Sequence, residues 1–368
     1  MRFYLPTEIV SERNCLAVHG EKIKEYGKTC LIVTGRHSAK ITGALDDLLS
    51  VLNKEGIKYI IYDKVEENPS IETVMEAREL GVTNNAEFVI GVGGGSPLDA
   101  AKAIALMIEN KEEDESILFQ QVPLKHLPVV AIPTTAGTGS EATPYSILTI
   151  HKERTKRSIS HRIFPVLALN DYSYLAFAKD ELLINTAVDA LSHLIESYLN
   201  TNADTYSKIF SQHGLLVWAA SKEALFKRRF TDIDYNNLMN ASTIAGMAIS
   251  HTGTSLPHGL SYSVTYEKGI SHGRAVGIFI PGFLRLYAIN DKTSVDKVIS
   301  ILGFENIDDF ENYLEHILGS VMIEEDLMLE NVRVTLNNKA KMANYPFHAA
   351  EEQIRSSFLK STLIEITD

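Results

Sequence analysis

Short apolar runs alternate with helical apolar repeats through the first half of the chain. The run 30–35 is apolar on both faces and ends in a turn residue, which predicts a buried strand, and the interval 45–52 has apolar residues at helical spacing. Strands that are apolar on both faces and separated by helices are typical of a parallel sheet covered by helices. The remaining elements of this α/β pattern are predicted strands at 59–62, 87–92 and 129–132, predicted helices at 70–80 and 98–110, and an edge strand or hairpin within 1–14.

The pattern changes near residue 165, where strand signals almost disappear and long helical repeats follow. These observations predict an α/β domain over residues 1–163 and an all-α domain over residues 164–368. The predicted helices of the second domain are 179–199, 205–227, 235–250, 273–289, 307–318 and 349–361.

Composition narrows the class of protein. The chain has 368 residues, 45% hydrophobic and 22% charged, which is typical of a globular protein. Its net charge of −12 argues against nucleic acid and anionic membranes as partners. Two cysteines give no disulfide framework, and no apolar run resembles a signal peptide or a membrane span, so a cytoplasmic location is expected.

Two loops with ligand-binding character follow consecutive predicted strands. The first contains the run Gly93-Gly94-Gly95 before a predicted helix, where the backbone can approach a phosphate closely and the helix offers unpaired N–H groups. A plain strand-to-helix turn is the alternative, but a turn needs fewer glycines. The second loop, 132–141, is rich in Thr and Gly and suits a diphosphate or ribose. Ligands of open α/β sheets bind at such strand ends.

A third loop closes the first buried strand and bears on the choice of cofactor. Sites that prefer NAD often place an acid here for the ribose 2′-hydroxyl. This loop has no acid and instead carries Gly35, Arg36, Ser38 and Lys40, which suit a 2′-phosphate. NADP(H) is therefore favoured over NAD(H), with surface cations as the alternative reading of Arg36 and Lys40.

Four residues of the second half have the chemistry of metal ligands. Asp189 and His193 are four apart on a predicted helix, so both face one side, where a divalent metal would offset a buried carboxylate. A simple hydrogen bond between the two is the alternative. His258 and His272 are fourteen apart, about 21 Å on one unbroken helix, but intervening glycines make a break between them plausible. One carboxylate and three histidines would then meet.

Taken together, these motifs resemble the iron-dependent (group III) alcohol dehydrogenase family. The resemblance rests on the glycine run with Ser96, Pro97 and Asp99, on the loop 133–141, on Asp189-Ala-Leu-Ser-His193 and on the paired histidines. It implies a Rossmann-like amino-terminal domain, a helical carboxyl-terminal domain and an active site in the cleft between them. It also implies that the four ligands hold Fe²⁺ or Zn²⁺. The cofactor residues that it implies are Gly94, Gly95 and Ser96 at the diphosphate, Asp99, Thr134, Thr135 and Thr138 lining the site, and Lys156 near the ribose.

One position departs from the family. Many members carry a histidine, often assigned to proton relay, four residues after the third metal ligand, where this chain has Tyr262. Tyr262 itself, His251 or a water molecule would serve instead, and the alternative is that Tyr262 only packs the cleft.

The expected function is hydride transfer between NADP(H) and a small primary alcohol or aldehyde, as in the branch that includes butanol and 1,3-propanediol dehydrogenases. A metal acting as a Lewis acid on the substrate oxygen would assist it. The expected partners are a small-molecule substrate and further copies of the chain, in a dimer or larger homo-oligomer. The alternatives are a glycerol dehydrogenase-like enzyme that uses NAD and zinc, a metal-free maleylacetate reductase-like enzyme, a dehydroquinate synthase-like lyase and a non-catalytic nucleotide-binding protein.

Overall fold

The chain forms two units in the computed structural model, which describes residues 3–153 and 155–367. Met1, Arg2, Arg154 and Asp368 lie outside the described residues. The sheet unit is Tyr4–Ala178, and the helical unit runs from Lys179 to the carboxyl end and includes Phe3. The units divide fifteen residues after the predicted boundary at 163, because a further strand at Leu167–Asn170 joins the sheet.

A parallel six-stranded sheet organises the sheet unit. The strands run in the order β1-β8-β5-β4-β2-β3, and all neighbours are parallel. A separate antiparallel pair joins β6 and β7. The bounds are β1 Glu8–Ser11, β2 Thr29–Gly35, β3 Lys58–Val65, β4 Phe88–Gly93, β5 Val129–Pro133, β6 Ile147–Ile150, β7 Thr155–Ser158 and β8 Leu167–Asn170.

Helices cover both faces of this sheet, as the apolar runs predicted. Successive side chains of a strand point to opposite faces, and in β2 Leu31 and Val33 enter one apolar cluster while Cys30 and Ile32 enter another. The helices are α1 Cys15–His19, α2 Ser38–Ile41, α3 Ala44–Glu55, α4 Ile71–Thr83 and α5 Gly95–Glu109, with 3₁₀ turns at Gly20–Tyr26, Glu115–Phe119, Ser140–Ala142, His151–Glu153 and Tyr172–Phe177.

The strand order places three of the predicted loops at one edge of the sheet. From β2 the chain crosses to β3 on one side and then returns to β4 on the other, so the strand order reverses between β2 and β4. Open α/β sheets bind ligands outside the carboxyl ends of strands at such a point. The loops after β2, β4 and β5 begin there, at Arg36, Gly94 and Thr134.

The helical unit contains more breaks than the sequence predicted. The predicted helix 205–227 is two helices, and so is 273–289. One parallel pair of four-residue strands is also present, too short to show a pattern in the sequence. The bounds are α6 Asp180–Tyr198, α7 Thr205–Ala219, α8 Lys222–Lys227, α9 Asp232–Thr252, α10 Leu256–Lys268, α11 His272–Gly277, α12 Ile280–Ala288, α13 Lys292–Leu302, α14 Ile307–Leu318, β9 Val321–Glu324, α15 Glu325–Asn337, α16 Lys339–Ala343, α17 Glu351–Phe358 and β10 Ile364–Thr367.

Among the helices of the described residues, none combines the length and apolar character needed to cross a membrane.

The central helix of this unit is α6, and α11 packs directly against its backbone. From Leu183 onward α6 is buried at nearly every position. A Cβ atom at Gly273 in α11 would lie 1.8 Å from the carbonyl oxygen of Asn185 and 3.2 Å from Cβ of Asp189. Only glycine allows the two helices to approach this closely, and this approach brings the start of α11 beside Asp189.

We expect Gly273→Ala to lower the free energy of unfolding by about 1–3 kcal/mol, because backbone must shift to admit the methyl group. This loss outweighs the helix propensity that alanine gains, about 1 kcal/mol. Gly259→Ala in α10 is the matched control, since its methyl would meet only side-chain atoms, at 3.0 Å from Thr335 and 3.5 Å from Lys341. Thermal unfolding of the two variants measures the difference. Equal melting temperatures would contradict the close approach of α11 to α6.

Candidate functional site

The helical unit brings together the four residues predicted as metal ligands. Candidate ligand atoms of Asp189, His258 and His272 all lie within 4.8 Å of one another. From Oδ1 of Asp189, the Nε2 atom of His258 is 3.5 Å away, that of His272 3.9 Å and that of His193 4.0 Å. The rings of His193 and His258 stack with their centroids 4.4 Å apart. The side chains therefore converge on Oδ1 of Asp189.

Three helices supply these ligands, and the predicted break between the two later histidines is present. Asp189 and His193 lie one turn apart in α6. His258 lies in the first turn of α10, and His272 is the first residue of α11. Gly269 ends α10 in the left-handed conformation, at φ 62°, which glycine adopts at low cost. The chain turns back there, so the two histidines need not be separated by the length of one helix.

Burial and neighbouring charges shift the pKa values of this cluster in opposite directions. Burial alone would raise the pKa of Asp189, but the neighbouring imidazoles hold it well below the ordinary value. Burial alone would lower the pKa of His258, but the negative charges of Glu196 and Asp189 and the hydrogen bond to Glu196 raise it to about 9. In the metal-free protein the cluster is thus a buried carboxylate that needs positive charge beside it.

The donor set fits a divalent transition metal. Oδ1 of Asp189 and Nε2 of His258 are buried and, among the described residues, accept or donate no hydrogen bond. Carboxylate oxygen and imidazole nitrogen bind Zn²⁺ at about 2.0–2.2 Å, which puts neighbouring ligand atoms of a tetrahedral site ~3.4 Å apart. The separations of 3.5–4.0 Å at Asp189 are close to that spacing. Fe²⁺ is compatible with the same ligands.

A second buried carboxylate lies behind the cluster, and the sequence analysis gave it no role. Glu196 is seven residues after Asp189 in α6, on the same helix face, and is 1% exposed. Its carboxylate accepts hydrogen bonds from Nδ1 of His258 and from the backbone N–H of Ser255. The spacing of residues 189, 193 and 196 was a signal for it, because all three lie on one face of the helix.

The two residues predicted for proton relay occupy different surroundings. The Tyr262 ring stacks on His272, 5.9 Å between centroids, and Nζ of Lys341 lies 5.3 Å from the Tyr262 centroid. His251 lies in the last turn of α9. Its ring stacks on Phe3 at 4.9 Å, and its Nδ1 is 2.9 Å from the carbonyl oxygen of Met247. The structure therefore brings Tyr262 next to His272, one of the predicted metal ligands.

In the sheet unit, the glycine loop and the Thr/Gly loop lie against each other. A Cβ atom at Gly95 would lie 2.6 Å from Thr138, and one at Gly94 would lie 3.1 Å from Oγ1 of Thr135. Gly94, Gly95 and Ser96 are half-buried, and among the described residues no side chain caps the amino end of α5. The first N–H groups of this helix can therefore bind an anion. Oγ1 of Thr134 is buried and has no hydrogen-bond partner among the described residues.

Asp99 makes hydrogen bonds to the loop itself. Its carboxylate accepts hydrogen bonds from Oγ of Ser140 at 2.5 Å and from the backbone N–H of Ile147 at 2.9 Å. The buried Lys102 donates to the Ser140 carbonyl at 2.8 Å and to its hydroxyl at 2.7 Å. Burial lowers the pKa of Lys102 to about 8, against the opposing charges of Asp99 and Glu141. These contacts tie α5 to the Thr/Gly loop, so Asp99 braces the site that it was predicted to line.

Lys156 is held by a residue that the sequence analysis did not single out. Its Nζ donates to Oδ1 of Asn68 at 2.7 Å, and the Asn68 backbone N–H donates to Oγ of Ser96 at 3.1 Å. Asn68 adopts the left-handed conformation, at φ 58°. Burial lowers the pKa of Lys156 to about 8, against the charge of Glu67. Asn68 thus joins Lys156 to the start of α5.

The loop after β2 has an acidic neighbour that its own sequence lacks. Arg36 and Ser38 are exposed, whereas Nζ of Lys40 lies 2.8 Å from Oδ2 of Asp63 in β3. The partner strand β3 runs parallel beside β2. The ammonium group of Lys40 is thus already paired with Asp63, and the Asp63 carboxylate places one negative charge near the loop.

Both halves of the chain match sequence models of one known protein family. The sequence model of the family of iron-containing alcohol dehydrogenases matches residues 6–172. The sequence model of the carboxyl-terminal part of that family matches residues 183–361. The chain is 30% identical over 308 residues to an NADPH-dependent butanol dehydrogenase from Clostridium saccharobutylicum, covering 82% of this chain and 77% of the relative.

Two solved structures from Thermotoga maritima match over both units. An iron-containing alcohol dehydrogenase has a TM-score of 0.91 and 36% identity, with 98% of this chain and 99% of that chain covered. An NADH-dependent butanol dehydrogenase has a TM-score of 0.85 and 26% identity, with 98% of each chain covered. The matched models favour the dehydrogenase over the lyase alternative, and the resemblance read from the motifs is confirmed. The chain belongs to the iron-containing alcohol dehydrogenase family.

Proposed function

We propose that the protein interconverts a small primary alcohol and its aldehyde with NADP(H), using a divalent metal held by Asp189, His193, His258 and His272. The observation that carries this proposal is the convergence of three imidazoles on the buried Oδ1 of Asp189. A buried carboxylate with three imidazoles at 3.5–4.0 Å suits a divalent cation, whose charge would offset that of the carboxylate. Family membership supports the reaction on CH–OH groups.

A bound Fe²⁺ or Zn²⁺ would act as a Lewis acid on the substrate oxygen, and NADPH would supply the hydride. The protein's own residues hold these groups and move a proton. In reduction, the carbonyl carbon gains the hydride and the oxygen gains a proton. We assign Tyr262 to supply that proton, because its ring stacks on His272 beside the ligand cluster. His251, which stacks on Phe3 instead, is the less favoured candidate.

The cofactor proposal rests on the edge of the sheet where the strand order reverses. Gly94, Gly95 and Ser96 would bind the diphosphate through the first N–H groups of α5, with Thr134, Thr135 and Thr138 facing them. Lys156 and Asn68 would bind at the ribose. Gly35, Arg36, Ser38 and Lys40 would bind the 2′-phosphate, and Arg36 carries the larger share because Lys40 is already paired with Asp63.

The choice of substrate is proposed from the relatives, which include the butanol dehydrogenases named above. NADPH favours the reducing direction, so the aldehyde is the proposed substrate. A homo-oligomer and a cytoplasmic location stay predictions, and so does the alternative of a glycerol dehydrogenase-like enzyme that uses NAD and zinc.

Removing the metal should greatly reduce the rate of aldehyde reduction. We expect chelator-stripped protein to oxidise NADPH with butyraldehyde about 100-fold more slowly than protein loaded anaerobically with Fe²⁺, because a Lewis acid contributes several kcal/mol to the barrier. The decrease in absorbance at 340 nm measures the rate, and elemental analysis verifies stripping. Reloading with Zn²⁺ and a parallel assay with glycerol and NAD test the alternative of a glycerol dehydrogenase-like enzyme, which would be active under those conditions. Undiminished activity in verified metal-free protein would refute the metal's role.

Replacing Arg36 should reduce the preference for NADPH. We expect Arg36→Ala to lower kcat/KM for NADPH about 10- to 100-fold while that for NADH changes little, because a charge-assisted bond to the 2′-phosphate contributes about 1.5–3 kcal/mol. Asp63→Asn is the complementary variant: it frees Lys40 and should raise kcat/KM for NADPH. Initial rates with both cofactors measure the ratio. A parent enzyme that prefers NADH, or an Arg36→Ala variant that loses both activities equally, would contradict this assignment.

A further inference from the structure

The carboxylate of Glu196 has two donors and no other role in the proposed reaction. It lies in α6, 1% exposed, one turn beyond His193. Nδ1 of His258 and the backbone N–H of Ser255 both donate to it, one to each oxygen. These donors are 62 and 59 residues away along the chain. Burying a carboxylate is costly, so its placement calls for an explanation beyond packing.

The bond to Nδ1 decides which nitrogen of His258 is available. A neutral imidazole carries its proton on one nitrogen only, and the other then has a lone pair. An ionised carboxylate can only accept, so Nδ1 must carry the proton. Nε2, which points toward Oδ1 of Asp189 at 3.5 Å, is then the atom free to coordinate. Metal-ligating histidines generally donate their second N–H in this way, and the partner fixes both tautomer and ring orientation.

The second bond fixes the backbone that carries His258. Ser255 directly precedes α10, and His258 lies in the first turn of that helix. The preceding turn is also held by Asn200, which donates to the Gly253 carbonyl at 3.3 Å, and by Asn344, which donates to the Thr254 carbonyl at 2.8 Å. Glu196 ties this turn to α6, the helix that supplies Asp189 and His193, and Ser197 of the same helix accepts a hydrogen bond from the neighbouring Thr252 hydroxyl at 3.0 Å. One carboxylate therefore sets both the position and the protonation pattern of a third ligand.

We propose that Glu196 is a positioning residue for the metal centre, which acts through His258 and not on substrate, cofactor or metal. The inference rests on the proposed metal site. It assigns to Glu196 a contribution to metal affinity, separate from any contribution to the stability of the fold.

Glu196→Gln tests it, because glutamine has the same size but turns one acceptor oxygen into an NH₂ group that faces a donor. Glu311→Gln is the matched control. Glu311 is also a buried glutamate of the helical unit, 3% exposed, and it accepts from Arg285 and from the Thr362 backbone N–H at 3.0 Å. Each variant loses a buried carboxylate that accepts two hydrogen bonds, but only the carboxylate of Glu196 contacts a predicted metal ligand.

The measurement is Zn²⁺ and Co²⁺ binding by competition with a chelator of known affinity, together with the visible spectrum of the Co²⁺ form. We expect Glu196→Gln to bind each metal about 10- to 100-fold more weakly and to shift the Co²⁺ bands, while Glu311→Gln matches the parent. Thermal unfolding of the metal-free variants separates affinity from stability. Unchanged affinity and spectrum in a folded Glu196→Gln protein would overturn the inference, and so would equal losses in both variants.

A second measurement needs no variant. In the zinc-loaded parent protein with ¹⁵N-labelled histidine, we expect the imidazole N–H at Nδ1 of His258 to exchange slowly with solvent. Coordination through Nδ1, or rapid exchange of that proton, would overturn the inference. A parent protein that binds neither metal would refute the proposed metal site, and the Glu196 inference with it. Normal metal binding by the parent with an indifferent Glu196→Gln variant would refute only the inference.

Discussion

The helical unit depends on the buried negative charge of Asp189. A carboxylate at 3% exposure in the middle of a helix that is buried at nearly every position is unfavourable unless positive charge or hydrogen-bond donors meet it. Three imidazoles from α6, α10 and α11 converge on the same oxygen. The left-handed turn at Gly269 and the close approach at Gly273 both serve this convergence. These two glycine positions therefore help to bring His258 and His272 to the buried carboxylate.

Small residues have a comparable part in the sheet unit. The glycines after β4 let the start of α5 lie directly against Thr135 and Thr138, which leaves helix N–H groups accessible at the edge where the strand order reverses. The surrounding polar residues are tied down before any ligand binds. Asp99 and Lys102 fix the Thr/Gly loop. The glycine loop and the Thr/Gly loop are therefore preorganised, which reduces the conformational entropy lost when a ligand binds to them.

The sequence predicted those features whose signal is local. Predicted strands of four to six residues located β2 to β5, and the predicted helix 70–80 corresponds to α4, whose cap Ser70 accepts from the Thr73 N–H. The strands β8 and β9 were not predicted, and the two units divide fifteen residues after the predicted boundary at 163. The convergence of the four predicted ligands could be anticipated from the sequence. The spacing of Asp189 and His193 and the glycines between His258 and His272 are both visible there.

The residues that sequence analysis missed share one property, which is that their partners are distant. Glu196 bonds a residue 62 positions away, Asn68 one 88 positions away and Asp63 one 23 positions away. Local periodicity cannot pair them, because only the packed fold makes them neighbours. Each of these residues supports a predicted site residue. The candidate ligands could therefore be proposed from the sequence, whereas the interactions that orient their side chains emerged only from tertiary structure.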